Sequence, residues 1–225
     1  MDTFCPLQIN LKNKKCLVVG GGAVAERKVT VLLANKTDIQ VVSPSLTSTL
    51  KKMATGNEIT YLSDRYHPVY LNNKFLVIAA TNNREVNRQI AEDCIARNIL
   101  VNSVSGAEQC TFFLPAMLRK NCLTIAVSTS GVSPALASRI RDEIDDFLGE
   151  DYNEFLSFLS FARMRIIEQI EEQQNRKKIL EHLASDEFFS VFKFLPASER
   201  EKKLLQIISM GKGEIKDSGG GKQSD

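Results

Sequence analysis

The chain has 225 residues, 43% of them apolar and 25% charged, with a formal net charge of +2. This supports a globular protein with a sizeable core, in one large domain or a medium domain plus a smaller one. It argues against a broad nucleic-acid surface, and no apolar run reaches the roughly 18 residues that span a bilayer.

The first 16 residues lack the basic-then-apolar order of a secretory leader, so the expected location is the cytoplasm. The five cysteines (Cys5, Cys16, Cys94, Cys110 and Cys122) are widely spaced and form no C-x-x-C. That pattern argues against a disulfide framework or a structural zinc site. His67 and His182 lie far apart, and no metal site is expected.

In chain order, "KKCLVVG" (14–20) is an apolar, β-branched run and predicts a buried strand. Residues 23–35 have helical spacing, 38–44 predict a second strand stopped by Pro44, and 45–56 predict a helix ending near Gly56. A short strand is expected in 58–63, a long one in "KFLVIAAT" (74–81), a helix in 83–98 and a strand in 99–105. The order β-α-β-α-β-β-α-β with near-continuous apolar strands predicts a mostly parallel sheet covered on both faces. "FFLPAMLRKN" (112–121) reads as a crossover, followed by a strand at 122–129. A helix over 131–149 is marked by Ser133 at its N-cap and Pro134 in its first turn. From Tyr152 to about Met210 only helices are expected, with turns near Ser185 and Pro196; the polar, glycine-rich 217–225 predicts disorder.

The turn after the first strand is Gly20-Gly21-Gly22-Ala23-Val24-Ala25. Gly20, Gly22 and Ala25 fit the dinucleotide fingerprint G-x-G-x-x-G/A. In that pattern the first glycine makes the tight turn, the second admits a pyrophosphate to the backbone, and a small third residue lets helix pack on strand. The helix N-terminus that follows presents free N–H groups and a positive dipole end. A tight turn with no ligand is the plainer alternative, but a strand before and a helix after favour the ligand. The acidic residue that usually meets the ribose is missing. The second strand ends in Ser43, Pro44 and Ser45, with no arginine directly after, which favours NAD over NADP. Ser43 and Ser45 either meet the ribose or cap the next helix.

"CLVVGGGAVAERK", "VVSP", "VIAATNNREVN", "LVNSVSG", "FFLPA" and "TIAVSTSGVSPALASRIRDEI" occur in this order. Together they resemble the siroheme synthase N-terminal family, over residues 5 to about 210. The resemblance implies an α/β fold: a Rossmann-like parallel-sheet dinucleotide-binding domain (1–113), a dimerisation and substrate region (114–150), a small all-helical domain (151–212) and a disordered tail (213–225). It also implies a homodimer that oxidises precorrin-2 to sirohydrochlorin with NAD, some members inserting ferrous iron as well. On this pattern Gly20, Gly22, Ala23 and Val24 would lie at the phosphates and Pro44 and Ser45 near the adenosine. Thr81 and Asn82 would close the other side, and Asn102 would face the nicotinamide region. For Asn82 and Asn102, ordinary turn chemistry is the plainer alternative.

The chain departs from the family where many members carry an aspartate pair: Ser105 and Gly106 stand there. Serine is a poor base near neutral pH and a weak ligand for ferrous iron. Glu108 could supply the carboxylate from a rearranged loop, but a solvated loop charge is its plainer reading; the departure favours a dehydrogenation that needs no strong base in a chain that dehydrogenates and does not chelate. The substrate carries several carboxylates, and "STSGVSP" (128–134) offers a helix N-terminus with Thr129, Ser130 and Ser133 as hydroxyl donors; helix capping accounts for them equally well. Arg119, Lys120, Arg139 and Arg141 are nearby in sequence, each better explained as surface charge. Phe155, Phe158, Leu159, Phe161 and Ala162 read as core or dimer packing. An NAD-binding regulatory module without catalysis, and a bifunctional dehydrogenase and chelatase, are the competing functions.

Overall fold

Residues 4–213 are described in a computed structural model, in two compact units. One holds the chain through Leu114 together with Ser130–Val132; the other holds Pro115–Thr129 and the chain from Ser133 onward.

In the first unit the apolar runs become β1 (Lys15–Val19), β2 (Asp38–Val42), β3 (Thr60–Leu62), β4 (Leu76–Ala79) and β5 (Leu100–Ser103). All pair in parallel, in the order β3-β2-β1-β4-β5. The strands lack polar alternation because both sheet faces are covered. Cys16 and Val18 pack with Ala25, Val29 and Leu32 of α1 (Ala23–Leu33), whereas Leu17 and Val19 pack with Ile90, Ala91 and Cys94 on the other face. Those last three belong to α3 (Arg84–Ile95), capped by Asn83, whose Oδ1 accepts the Glu85 N–H at 2.9 Å. Between them α2 (Ser48–Thr55) starts later than its sequence suggests. Its N-cap is Thr47, accepting from the Leu50 N–H at 3.2 Å, so neither Ser43 nor Ser45 caps it. A single 3-10 turn, Pro68–Leu71, links β3 to β4.

Two buried thiols in this core carry a pH dependence. Burial, with Asp93 adding to it, pushes the Cys94 thiol up to about 12, and burial with Asp38 raises Cys16 to about 11, from the ordinary 9.0. A raised pKa favours the neutral form in the folded state, so this stability is complete below about pH 9 and declines as pH climbs toward the folded values. Melting curves followed between pH 8 and 11 (on the order of three units, the span of such shifts) should show stability falling above pH 9, less steeply in Cys94→Ala. An unchanged slope in that variant would count against Cys94.

The segment expected as a crossover contains a strand. β6 (Ala116–Lys120) pairs antiparallel with β7 (Leu123–Val127) in a separate two-stranded sheet, Lys120 opposite Leu123. Its sequence, AMLRK, has no β-branched residue; pairing and the packing of α4 (Pro134–Leu148) hold it, not propensity. Asn121 makes the turn with φ +51°, a conformation asparagine tolerates better than most residues. Lys120 is buried and pairs with Asp145 of α4 at 2.6 Å, so it is a structural cation. Arg139 pairs with Glu143 and Arg141 with Asp142.

The helices beyond are α5 (Asp151–Gln169), α6 (Gln173–Leu183), α7 (Asp186–Phe192) and α8 (Ala197–Gly213). Breaks fall at Ser185, which caps α7, and at Pro196, as expected; the break at 170–172 has no glycine or proline to announce it. Phe155, Phe158, Phe188 and Phe192 form the centre of this core, with Phe155 and Phe192 ring centroids 5.0 Å apart. Around them Ile166 and Leu183 are fully buried, each contributing about 1.5–3 kcal/mol. The tail 214–225 lies outside the described residues.

Candidate functional site

The strand order reverses between β1 and β4. From their carboxyl ends α1 leaves to one face of the sheet and α3 to the other, opening a crevice where parallel sheets take ligands. The strand ends are in register: Val19 is opposite Ala79, and Ala79 opposite Ser103. Gly20, Thr81 and Ser105 therefore share this edge.

The three glycines do different work. Gly20 has φ +123°, and a Cβ there would stand 2.2 Å from the Ala80 carbonyl oxygen. It is bare so that the segments after β1 and β4 can touch. At Gly21 a Cβ would lie 1.9 Å from the Ser45 carbonyl oxygen, and the Gly21 carbonyl accepts the Thr47 N–H at 2.9 Å. Its bareness serves packing against the loop after β2, a task the fingerprint does not assign. A Cβ at Gly22 would meet nothing within 4 Å. Gly22 is also the N-cap of α1 and supplies no side-chain cap, so the helix starts with backbone N–H groups at Ala23 and Val24 in exposed positions. An open space in front of an uncapped helix N-terminus fits a pyrophosphate.

Around this turn Ser43 is buried beneath Gly21, its carbonyl accepting from the Tyr61 hydroxyl at 3.0 Å, while Pro44 and Ser45 are exposed. The Thr47 hydroxyl donates to Glu26 of α1 at 2.5 Å, tying the loop after β2 to the first turn of α1.

The other wall is organised by a residue the sequence analysis missed. Asn87 of α3 is 1% exposed. Its Oδ1 accepts the Thr81 N–H at 3.0 Å and the Thr81 hydroxyl at 2.7 Å; its Nδ2 donates to the Thr81 carbonyl at 2.9 Å and to Ser105 Oγ at 2.7 Å. Those four bonds use the full capacity of a primary amide. Asn82 is exposed beside it. A signal was present: Asn87, Ile90, Ala91 and Cys94 form the buried stripe of α3, and an asparagine on such a stripe needs buried partners.

Asn102 is the next-to-last residue of β5 and is 5% exposed. Its Nδ2 donates to the Phe112 carbonyl at 3.1 Å and sits 3.5 Å from Cys110 Sγ. The amide group thus holds the returning loop 110–112 against β5 instead of pointing out of the sheet edge. Burial raises the pKa of the Cys110 thiol, which donates to the Ser103 carbonyl at 3.3 Å and remains a packing group. Glu108 is exposed, its carboxylate folded over Gly106.

In the segment 129–133, the Thr129 hydroxyl oxygen accepts the Ser133 N–H at 2.9 Å and Ser133 Oγ accepts from Leu136 N–H at 3.2 Å, capping α4. Ser130 is exposed, in the left-handed region with φ +50°. Capping therefore occupies the acceptor sides of Thr129 and Ser133. Among the described residues no three His, Cys, Asp or Glu side chains converge as a metal site would require, and no helix is long and apolar enough to cross a membrane.

A parallel sheet in this order, with a glycine turn opening α1 at the reversal point, defines a dinucleotide-binding domain. Residues 7–116 match the NAD(P)-binding family model and residues 122–146 that of the sirohaem biosynthesis protein central region. Siroheme synthase of Methylobacillus flagellatus is 34% identical over 96% of this chain and 46% of its own length. That of Chromobacterium violaceum is 34% identical over 89% and 44%. The solved structure of SirC, precorrin-2 dehydrogenase, superposes with a TM-score of 0.77 at 25% identity, covering 92% of this chain and 100% of that one. The chain is thus similar to siroheme synthases and to a precorrin-2 dehydrogenase over most of its length, and spans a little under half the length of the curated relatives it matches.

Proposed function

We propose that this chain oxidises precorrin-2 to sirohydrochlorin with NAD in siroheme synthesis. The observation that carries the reading is the open space at Gly22, at the reversal point of a fold shared with a precorrin-2 dehydrogenase. Gly20 and Gly22, with the N–H groups of Ala23 and Val24, would hold the pyrophosphate; Pro44 and Ser45 would border the adenosine, with Ser43 supporting the loop from below. Thr81 and Asn82 would form the opposite wall. The end of β2 carries no cation to meet a 2′-phosphate, which supports NAD over NADP. NAD supplies the hydride acceptor. The substrate then gives up one hydride and one proton, and the ring system gains a double bond. Glu108 is the carboxylate on the loop after β5 that would take the proton, with Ser105 beside the reacting edge. The hydroxyls of Thr129, Ser130 and Ser133 would donate to a substrate carboxylate, since capping uses only the acceptor sides of Thr129 and Ser133. We assign the chain to the cytoplasm, consistent with its cysteines all being free. We also assign it a homodimeric state, supported by Phe147 standing 82% exposed on α4.

Anaerobic mixing with precorrin-2 and NAD tests the reading. Equimolar sirohydrochlorin and NADH are expected; ferrous iron added to the same cuvette then reports on chelation separately. NAD binding without turnover would replace the dehydrogenase with a nucleotide-binding regulatory module.

A further inference from the structure

Ser105 Oγ accepts one hydrogen bond, from the amide of a side chain that is itself immobilised. Asn87 cannot turn to serve Ser105 otherwise: its Oδ1 is held by two Thr81 donors at 3.0 and 2.7 Å and its other N–H by the Thr81 carbonyl at 2.9 Å. Thr81 thereby fixes which end of the amide faces Ser105, and that end is a donor, 2.7 Å away. The Ser105 hydroxyl hydrogen has no acceptor among the described residues. Its own N–H is tied to Ser103 Oγ at 3.2 Å, so backbone and side chain are both anchored. Ser105 is half-buried at the carboxyl edge of the sheet, beside the loop after β4.

We propose that Asn87 is a positioning residue that makes Ser105 a fixed hydrogen-bond donor toward an acceptor oxygen of the bound reactants. The inference rests on the reading of the crevice given above and adds a role to it. An Asn N–H pointing at Oγ works against Ser105 as a base, because it occupies a lone pair and withdraws charge from the oxygen; it strengthens the hydroxyl as a donor. The acceptor is a carbonyl or carboxylate oxygen, which both the nicotinamide carboxamide and the carboxylate-bearing substrate possess. The clamp also couples the two loops: Thr81, on the cofactor side, and Ser105 move together through one side chain.

The experiment compares wild type, Ser105→Ala, Ser105→Thr, Asn87→Ala and the Ser105→Ala/Asn87→Ala double variant. It reads NAD affinity by calorimetry and the KM and kcat for precorrin-2. Loss of one such hydrogen bond should weaken binding about tenfold in Ser105→Ala, whereas Ser105→Thr, which keeps the hydroxyl, should stay within about threefold of wild type. A change in NAD affinity identifies the carboxamide as the acceptor; a change confined to precorrin-2 KM identifies the substrate. Asn87→Ala should show at least the same ligand defect, because it also frees Thr81, and the double variant should be no worse than Asn87→Ala for that ligand, since Ser105 acts only through the clamp. Ser105→Ala equal to wild type for both ligands, or fully additive effects in the double variant, would overturn the proposal. Wild type that binds no NAD would overturn the crevice reading, and this inference with it, and is distinguished by needing no variant.

Discussion

Gly22→Asp is expected to fold at least as stably as the parent and to bind NAD about 100-fold more weakly or worse, the loss corresponding to about 3 kcal/mol. The two effects have opposite signs and one cause. Gly22 occupies an ordinary extended conformation at φ −86°, and a Cβ there touches no protein atom. Aspartate is a favoured N-cap, and its charge suits the positive end of α1, so the helix start gains up to about 1 kcal/mol. The same carboxylate would occupy the pyrophosphate position, with negative charge against negative charge. Calorimetry gives the affinity and a thermal melt the stability. Unchanged affinity would remove the pyrophosphate from Gly22; lost affinity together with a lowered melting temperature would mean that the variant damaged the fold and not the site.

Two residues earlier, Gly20→Ala should behave in the reverse way, losing about 3 kcal/mol of folding stability and about 10 °C in melting temperature. Two terms add. A residue with a Cβ is strained at φ +123°, and that Cβ would stand 2.2 Å from the Ala80 carbonyl, which belongs to backbone held by the Ala80 N–H bond to Val19 at 2.8 Å. Neither partner can yield without opening the contact between the segments after β1 and β4. Urea unfolding measures the loss. A stability equal to wild type would show that these segments do not meet as described. NAD affinity, measured on whatever fraction folds, should fall less than in Gly22→Asp. The paired variants thus separate the glycine that shapes the turn from the glycine that admits a ligand.

The resemblance and the fingerprint both assigned Gly20 and Gly22, and the distinction between them needed the distant Ala80 and Ser45. Gly21 carried no role in the sequence pattern, yet the carbonyl of Ser45 comes closest to it. Asn102 read as a group facing the nicotinamide from a strand end; its amide donates to the carbonyl of Phe112, ten residues along, where the loop after β5 folds back beside the strand. Ser105 was conspicuous as the place where a carboxylate was missing. What that serine does depends on Asn87, eighteen residues before it and on another element.

By itself the sequence determined the strands and helices of the first unit, since continuous apolar runs and helical spacing are local, and it pointed to the siroheme synthase relatives and to the glycine turn that opens α1, since these rest on short ordered motifs. It also marked the start of α4, because capping works within one turn, and a break near Ser185. Only the tertiary structure decided that Ala116–Lys120 is a strand, which of three adjacent glycines leaves room for a ligand, and that Asn87 joins Thr81 to Ser105. Each of these depends on a close approach between segments far apart in the chain, and the identity of the approaching atom (a carbonyl at Gly20 and Gly21, open space at Gly22) leaves no trace in local composition or period.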